Sequence, residues 1–166
     1  MTEVPEDIRE FAAIVAKRLR EHFPADEERI RQDFALAEEA GEFIGAYRRA
    51  KGMARRRGSW DDVAAELADV LITAYVTAEV NGFEARPLRH YGTHGTGNEH
   101  EDVMDVYLGV AEYVRDAMEG RVMPDVSLRA AIGSAVRAAH TLGIDLNAAW
   151  RSKAERVLTR GWRESA

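Results

Sequence analysis

The chain has 166 residues, no cysteine and a formal net charge of −6 at pH 7. This length is sufficient for one domain with a hydrophobic core, and the lack of cysteine excludes disulfides and thiolate chemistry. The acidic balance argues against general nucleic-acid binding. No apolar run is long enough to cross a bilayer, and the acidic N-terminus lacks the apolar region of a signal peptide. We therefore expect a cytoplasmic protein with neither nucleic-acid nor membrane partners.

Helical periodicity and the scarcity of proline predict an all-α protein, a single bundle of about six helices spanning residues 1–166. Proline at position 24 separates the first two helices, and Asp26 is a candidate cap for the second. Ser59 and Asp62 have the spacing of a capping box for the third helix, which Asn81 and Gly82 can end. The predicted helices cover about 6–22, 26–51, 59–80, 101–119, 125–141 and 146–158.

The fourth predicted helix carries apolar residues at helical spacing, and we expect them to form its buried side. They are Val103, Val106, Tyr107, Val110, Val114 and Met118.

Two pairs of acidic residues stand out in the second and third helices. Glu39 and Glu42 are three residues apart, as are Glu66 and Asp69, so each pair shares one helix face. If both helices pack against one core, four carboxylates converge at its edge and need compensation for their mutual repulsion. Magnesium, a hard cation that prefers oxygen ligands, would supply it. The alternative is a pair of solvated acidic faces.

The spacing of these acids resembles a family signature. Glu38-Glu39-x-x-Glu42, then 23 residues, then Glu66-x-x-Asp69 resembles the motif of the MazG-like all-α nucleoside triphosphate pyrophosphohydrolases. The resemblance implies that Glu39, Glu42, Glu66 and Asp69 are ligands of Mg²⁺, for which Mn²⁺ is a possible substitute. Glu38 lies about 100° around the helix from Glu39 but only about 40° from Glu42. We therefore assign it the role of general base or water-orienting residue.

The similarity extends over about 26–84 and, more loosely, over 142–163. Residues 85–141 would then be an inserted loop and helices that could replace contacts made by a partner subunit in other members. The family forms dimers or tetramers, so the resemblance implies a homodimer or homotetramer.

The implied reaction is hydrolysis of a (d)NTP to a monophosphate and pyrophosphate, a house-cleaning activity on the nucleotide pool. Magnesium would neutralise phosphate oxygens and activate water. A narrower dUTP or dCTP pyrophosphatase and a phosphoribosyl-ATP pyrophosphohydrolase remain open within the same chemistry. The alternative from another class is a non-catalytic helical module that binds a nucleotide or a protein partner.

Several cations are candidate phosphate ligands. A basic run follows the first acidic motif, and within it we single out Lys51 and Arg55, since arginine and lysine suit phosphate contacts. The alternative is an exposed turn that balances local acidity. Near the C-terminus, Lys153 and Arg160 fit the lysine and arginine of the family pattern, whereas Val157 occupies the place of its asparagine. A plain surface lysine is the alternative for Lys153.

The remaining candidates are aromatic residues and histidines. Trp60 and Phe34 are possible stacking partners for a base, although such residues more often belong to a core. His90, His94 and His100 lie in a glycine-rich stretch predicted to be a loop over 84–100. They lack a convincing fourth metal ligand, so a polar loop is the favoured interpretation. Such a loop could also close over the site.

Overall fold

Six α-helices make up most of the chain that the computed structural model describes, residues 4–86, 96–121 and 123–159. No strand occurs in these ranges, so the predicted all-α fold of about six helices is confirmed. None of the helices in these ranges is long and apolar enough to span a membrane. The helices are α1 (Ile8–His22), α2 (Glu28–Ala50), α3 (Trp60–Asn81), α4 (Glu99–Met118), α5 (Pro124–Leu142) and α6 (Leu146–Thr159).

The ends of α3 follow the local sequence closely. The Ser59 hydroxyl accepts a hydrogen bond from the Asp62 amide, and the Asp62 carboxylate accepts one from the Ser59 amide, both at 3.0 Å. Gly82 ends the helix in the left-handed region at φ 69°, a conformation that favours glycine. The predicted cap of α2 is wrong: Asp26 lies in a short 3-10 turn, Ala25–Glu27, which precedes that helix.

Four of the helices form a ring. Helix α2 packs against α3 and α4, and α5 packs against the same two helices, while α1 and α6 each pack against α3. One hydrophobic core receives side chains from every helix, and α3 buries apolar residues around most of its circumference. Helices α4 and α5, which the family resemblance treats as an insertion, thus complete this core.

The predicted buried side of α4 is partly wrong. Tyr107 and Met118 are 43% and 62% exposed, whereas Tyr113, absent from the predicted set, is fully buried. The Tyr113 hydroxyl donates a 2.7 Å hydrogen bond to the Asp33 carboxylate on α2. The apolar residues of α4 extend beyond the side that faces α2 and α5, so periodicity alone could not indicate which of them are buried.

Candidate functional site

Helices α2 and α3 bring three carboxylates together. Glu39 and Glu42 on α2 and Glu66 on α3 each offer one carboxylate oxygen, and these atoms lie within 4.8 Å of one another. The core fixes this arrangement, because Phe43 on α2 and Leu67 on α3, each next to one of these acids in the chain, are fully buried. The predicted convergence of the two acidic motifs is thus seen for three of the four proposed ligands.

The environment of Glu39 disfavours its ionised form. Burial is the main cause, followed by the charges of Asp69, Glu42 and Glu66, and together they raise the pKa of the Glu39 carboxyl to about 7, with Lys153 opposing them. Burial also raises the pKa of Glu66. Carboxyl groups that hold one another's pKa high are poorly compensated, and such groups are concentrated at functional sites.

The fourth proposed ligand, Asp69, has a different partner. Its Oδ2 accepts a hydrogen bond from Nζ of Lys153 on α6, in an ion pair that is largely shielded from solvent. Burial raises the pKa of Asp69, and the hydrogen bond from Lys153 opposes that shift. The structure therefore places Lys153 beside Asp69, which itself lies outside the group within 4.8 Å.

Two arginines contribute positive charge to this region. Burial raises the pKa of both Glu66 and Asp69, and the charge of Arg49, at the end of α2, opposes that rise at Glu66. The charge of Arg156 on α6 opposes it at Asp69. Arg156 was not among the predicted site residues. Its place one helical turn after Lys153 is the sequence signal that could have identified it.

Glu38 does not join the carboxylate group. Its side chain is exposed and lies along a shallow groove of about 490 Å³ with Ile30 and Phe34, on the outward side of α2. Phe34 is 56% exposed in the same groove. The structure thus places Glu38 and Phe34 together along this groove, outside the group of three carboxylates.

Lys51 lies in another network. Its ammonium forms an ion pair with Glu99 at the start of α4, and the adjacent Tyr47 hydroxyl is 2.7 Å from Nδ1 of His100. These contacts join the end of α2 to the start of α4. They explain His100, which lies in the first turn of α4, as a structural residue.

Of the remaining predicted cations and histidines, Arg55 alone lies in the described part of the chain. Arg55 is exposed in the segment between α2 and α3. Arg160, His90 and His94 lie outside the described residues.

Trp60 lies at the rim of a separate hollow. The indole is 45% exposed and meets the Tyr47 ring edge-on, with 6.2 Å between ring centroids. The hollow, of about 420 Å³, lies between the first turns of α3 and the α5–α6 connection. Its lining combines apolar and polar groups, from Trp60, Asp61, Ala64, Leu142, Gly143, Ile144, Asp145, Ala148 and Ala149.

The donor set defines what the carboxylate group can bind. Three carboxylates supply only oxygen ligands, which suit a hard divalent cation such as Mg²⁺ or Mn²⁺. The chain matches no protein-family model, no curated protein and no solved structure. The functional interpretation therefore depends on the geometry of this site and on the motif resemblance.

Proposed function

We propose that this chain is a magnesium-dependent nucleoside triphosphate pyrophosphohydrolase that converts a (d)NTP to a monophosphate and pyrophosphate. The observation that supports this proposal most is the group of three carboxylates from α2 and α3 within 4.8 Å of one another. Such a group works against folding, because burial and mutual repulsion disfavour its charged form. A cation that binds the folded protein would offset that cost.

In this proposal Glu39, Glu42 and Glu66 hold the metal. When bound, Mg²⁺ supplies neutralisation of phosphate oxygens and a water of lowered pKa. Glu39, with its pKa near 7, must give up its proton to act as a ligand at lower pH. Asp69 is the fourth ligand when its ion pair with Lys153 opens.

Lys153 is the proposed phosphate contact. Its ammonium lies at the edge of the carboxylate group, held there by Asp69. A triphosphate would present more negative charge than one aspartate, so the lysine can turn from Asp69 to the substrate. Arg156, one turn further along α6, faces the same region. We keep for Glu38 the role of orienting water from beside Glu42.

The hollow at Trp60 is the proposed place for the nucleoside. Asp61 on its rim and Asp69 in the acidic site are eight residues apart on one helix, about 12 Å along its axis. That distance is comparable to the span of a nucleotide from phosphates to base. An exposed indole can stack on any base, so the hollow by itself does not select among dUTP, dCTP, other (d)NTPs and phosphoribosyl-ATP.

The test is release of pyrophosphate from a panel of these substrates, with magnesium or with a chelator. We expect magnesium-dependent release with the nucleoside monophosphate as co-product. Lys153→Met should raise KM and lower turnover, whereas Lys17→Met, an exposed lysine of α1, should change neither. Absence of hydrolysis over the whole panel, or hydrolysis that persists in chelator, would contradict the proposal.

A measurement of the thermal midpoint, taken together with the turnover assay, separates the non-catalytic alternative. A ligand of the folded state raises the thermal midpoint, so magnesium with a non-hydrolysable nucleotide should stabilise either an enzyme or a binding module. Stabilisation without turnover would favour the module. If the ligand neither stabilises the protein nor is hydrolysed, both hypotheses fail, and the acids are a poorly compensated structural feature.

A further inference from the structure

Arg49, in the last turn of α2, lies near the group of three carboxylates but has no acidic partner of its own. Within residues 4–86, 96–121 and 123–159 its guanidinium forms neither an ion pair nor a hydrogen bond, whereas Lys51, two residues later, pairs with Glu99. The residue is nevertheless only partly exposed. A guanidinium has five N–H donors, and donors withdrawn from water need acceptors. This cation is therefore suited to binding an external anion.

The course of α2 directs Arg49 towards the acids. Arg49 follows Glu42 by seven residues, about two turns, so both lie on the same side of the helix. Long helical side chains lean towards the start of their helix, and Arg49 thereby extends over Gly45. A Cβ at Gly45 would lie 3.2 Å from Nη1 of Arg49, so the guanidinium occupies the space above that glycine. Because Gly45 is three residues from Glu42, the guanidinium lies about one turn from that acid.

The segment before α3 holds the base of the same side chain. A Cβ at Gly58 would lie 2.8 Å from the Cβ of Arg49, so a side chain there would force the two segments apart. With Gly45 beneath its end and Gly58 against its base, the Arg49 side chain has few alternative positions. A cation held in this way loses little conformational entropy when it binds a ligand.

On α3, Arg49 acts on the stretch from Asp62 to Glu66. Burial raises the pKa of Glu66, and the charge of Arg49 opposes that rise. Hydrogen bonds with Ser59 lower the pKa of Asp62, and the charge of Arg49 acts in the same direction. Asp62 and Glu66 are one turn apart on one side of α3. The guanidinium therefore lies on the side of the acidic site that is nearer the start of α3.

Lys153 lies towards the other end of the acidic site. Its ammonium pairs with Asp69, which follows Asp62 by seven residues, about 10 Å along the axis of α3. Glu66, the member of the carboxylate group on this helix, lies between the two aspartates in the chain. The candidate metal site therefore has a cation on each side, Arg49 towards the start of α3 and Lys153 further along it.

We propose that Arg49 is a second phosphate ligand of this site and binds the end of the triphosphate chain remote from Lys153. The inference rests on the proposed function, since the phosphate chain is that of the nucleotide substrate. Arginine can donate two parallel N–H bonds to phosphate oxygens. With a cation at each end, the site selects by the length of the phosphate chain. A triphosphate reaches both cations, whereas each of the two products, a monophosphate and pyrophosphate, reaches one.

Calorimetric titration with imidotriphosphate, a non-hydrolysable inorganic triphosphate, tests Arg49 without the base or the reaction. With Mg²⁺ present, Arg49→Gln should weaken binding by about tenfold or more, because a charge-assisted pair of hydrogen bonds is lost. Arg49→Lys should regain part of this loss, since it keeps the charge but not the planar fork. The matched control is Arg48→Gln, an exposed neighbour that donates to the Met53 carbonyl at 3.5 Å. It should bind as wild type does.

Gly45→Ala tests the position of the guanidinium with Arg49 still present. The added Cβ would displace Nη1, so binding of imidotriphosphate should weaken several-fold. The thermal midpoint should rise, because alanine favours a helix over glycine. A purely structural role of Arg49 predicts the reverse for Arg49→Gln, a lower thermal midpoint with unchanged affinity. If Arg49→Gln fails to fold, Gly45→Ala decides, and wild-type affinity in that variant would overturn the inference.

Two further readouts separate this inference from the proposed function. Wild-type protein should bind imidotriphosphate about tenfold or more tightly than imidodiphosphate, and Arg49→Gln should reduce that ratio and raise KM for the nucleotide. Wild-type affinity and KM in Arg49→Gln would overturn the inference and leave the hydrolase proposal intact, as would a wild-type protein that hydrolyses nucleotides but does not bind imidotriphosphate. Arg49-dependent binding without turnover of any nucleotide would support the phosphate site and contradict the hydrolase proposal.

Discussion

The helical pairs α2–α3 and α4–α5 share the spacing of their buried positions, but their acidic residues have different partners. The buried positions of α2 recur in α4 at the same relative spacing, and α3 and α5 both end at a left-handed glycine, Gly82 and Gly143. The recurring positions are Gln32, Asp33, Leu36, Ala40, Phe43 and Ala46 in α2, and Asp102, Val103, Val106, Val110, Tyr113 and Asp116 in α4.

The two pairs differ in what lies between their helices. In α2 the residue before buried Ala40 is Glu39, whose carboxylate lies close to that of Glu66 on α3. The corresponding residue before Val110 in α4 is Gly109. A Cβ at Gly109 would lie 3.1 Å from the Ala131 Cα, so the helix backbones meet there. At this position the backbones of α4 and α5 come close together, whereas the corresponding position between α2 and α3 holds carboxylates.

One buried acid of the second pair, Asp102, is fully compensated. Asp102 is completely buried and accepts hydrogen bonds from Arg137 Nε at 3.0 Å, Thr141 Oγ1 at 2.6 Å and the Thr96 amide at 3.2 Å. An acid with its own cation and donors contributes to structure, whereas acids that face other acids need an external cation. This contrast supports a binding role for the α2–α3 pair.

Loss of one carboxylate from the α2–α3 pair should have the largest effect. We expect Glu39→Gln or Glu66→Gln to lower magnesium-dependent turnover by about 100-fold or more, since charge stabilisation dominates phosphoryl-type transfer. Helical content by circular dichroism should persist. The matched control is Glu112→Gln, an exposed glutamate of α4, which should keep full activity. Full activity in either site variant would disprove the ligand assignment.

Breaking the compensated acid should instead reduce stability. Asp102→Asn leaves Arg137 without its buried partner and should lower the free energy of unfolding by about 3 kcal/mol. Asp105→Asn removes the more exposed partner of the same arginine and should cost less than about 1 kcal/mol. Urea unfolding compares the two. Equal losses would show that burial of Asp102 does not determine its contribution.

The two acids should also respond oppositely to pH. Burial raises the pKa of Glu39 to about 7, so the metal-free folded state binds more protons than the unfolded chain, and stability falls as pH rises from about 4.5 to 7. The loss should be about 2 kcal/mol after allowance for solvent screening. Glu39→Gln should reduce this slope, leaving the contributions of Glu66 and Asp69, whose pKa values burial also raises, and magnesium should reverse it.

For Asp102 the sign is reversed. Burial works to raise its pKa, but the hydrogen bonds from Thr141 and Thr96 and the charge of Arg137 outweigh burial and lower it. Its contribution is therefore present above its ordinary pKa and is lost as pH falls through the lowered folded value. Urea unfolding at a series of pH values checks both slopes. A stability curve of wild-type protein that rises from pH 5 to 7 would contradict the account of Glu39.

The smallest expected effect concerns two helical glycines. A Cβ added at Gly41 in α2 would meet no packing neighbour within 4 Å, so Gly41→Ala should stabilise by about 0.5–1 kcal/mol. Gly109→Ala should fall short of that gain by about 1 kcal/mol or more, because its Cβ would press on the α5 backbone. Thermal unfolding of both variants measures the difference. Equal stabilisation would mean that α4 and α5 separate at little cost.

The sequence predicts the parts of this fold that depend on local rules. The capping box at Ser59 and the stop at Gly82 involve only neighbouring residues, and the three-residue spacing of the acids places each pair on one face. Tertiary packing decides the rest. The exposed face of α4, the outward orientation of Glu38 and the ion pair of Lys153 with Asp69, 84 residues away, depend on how helices distant in sequence pack together.

The central claim, a divalent cation held by the α2–α3 carboxylates, is tested most directly by anomalous diffraction. Crystals grown with Mn²⁺ and a non-hydrolysable nucleoside triphosphate analogue should show a manganese peak in contact with Glu39, Glu42 and Glu66, with Lys153 on a phosphate oxygen. No peak at these carboxylates at saturating Mn²⁺, or a peak only elsewhere on the surface, would contradict the account.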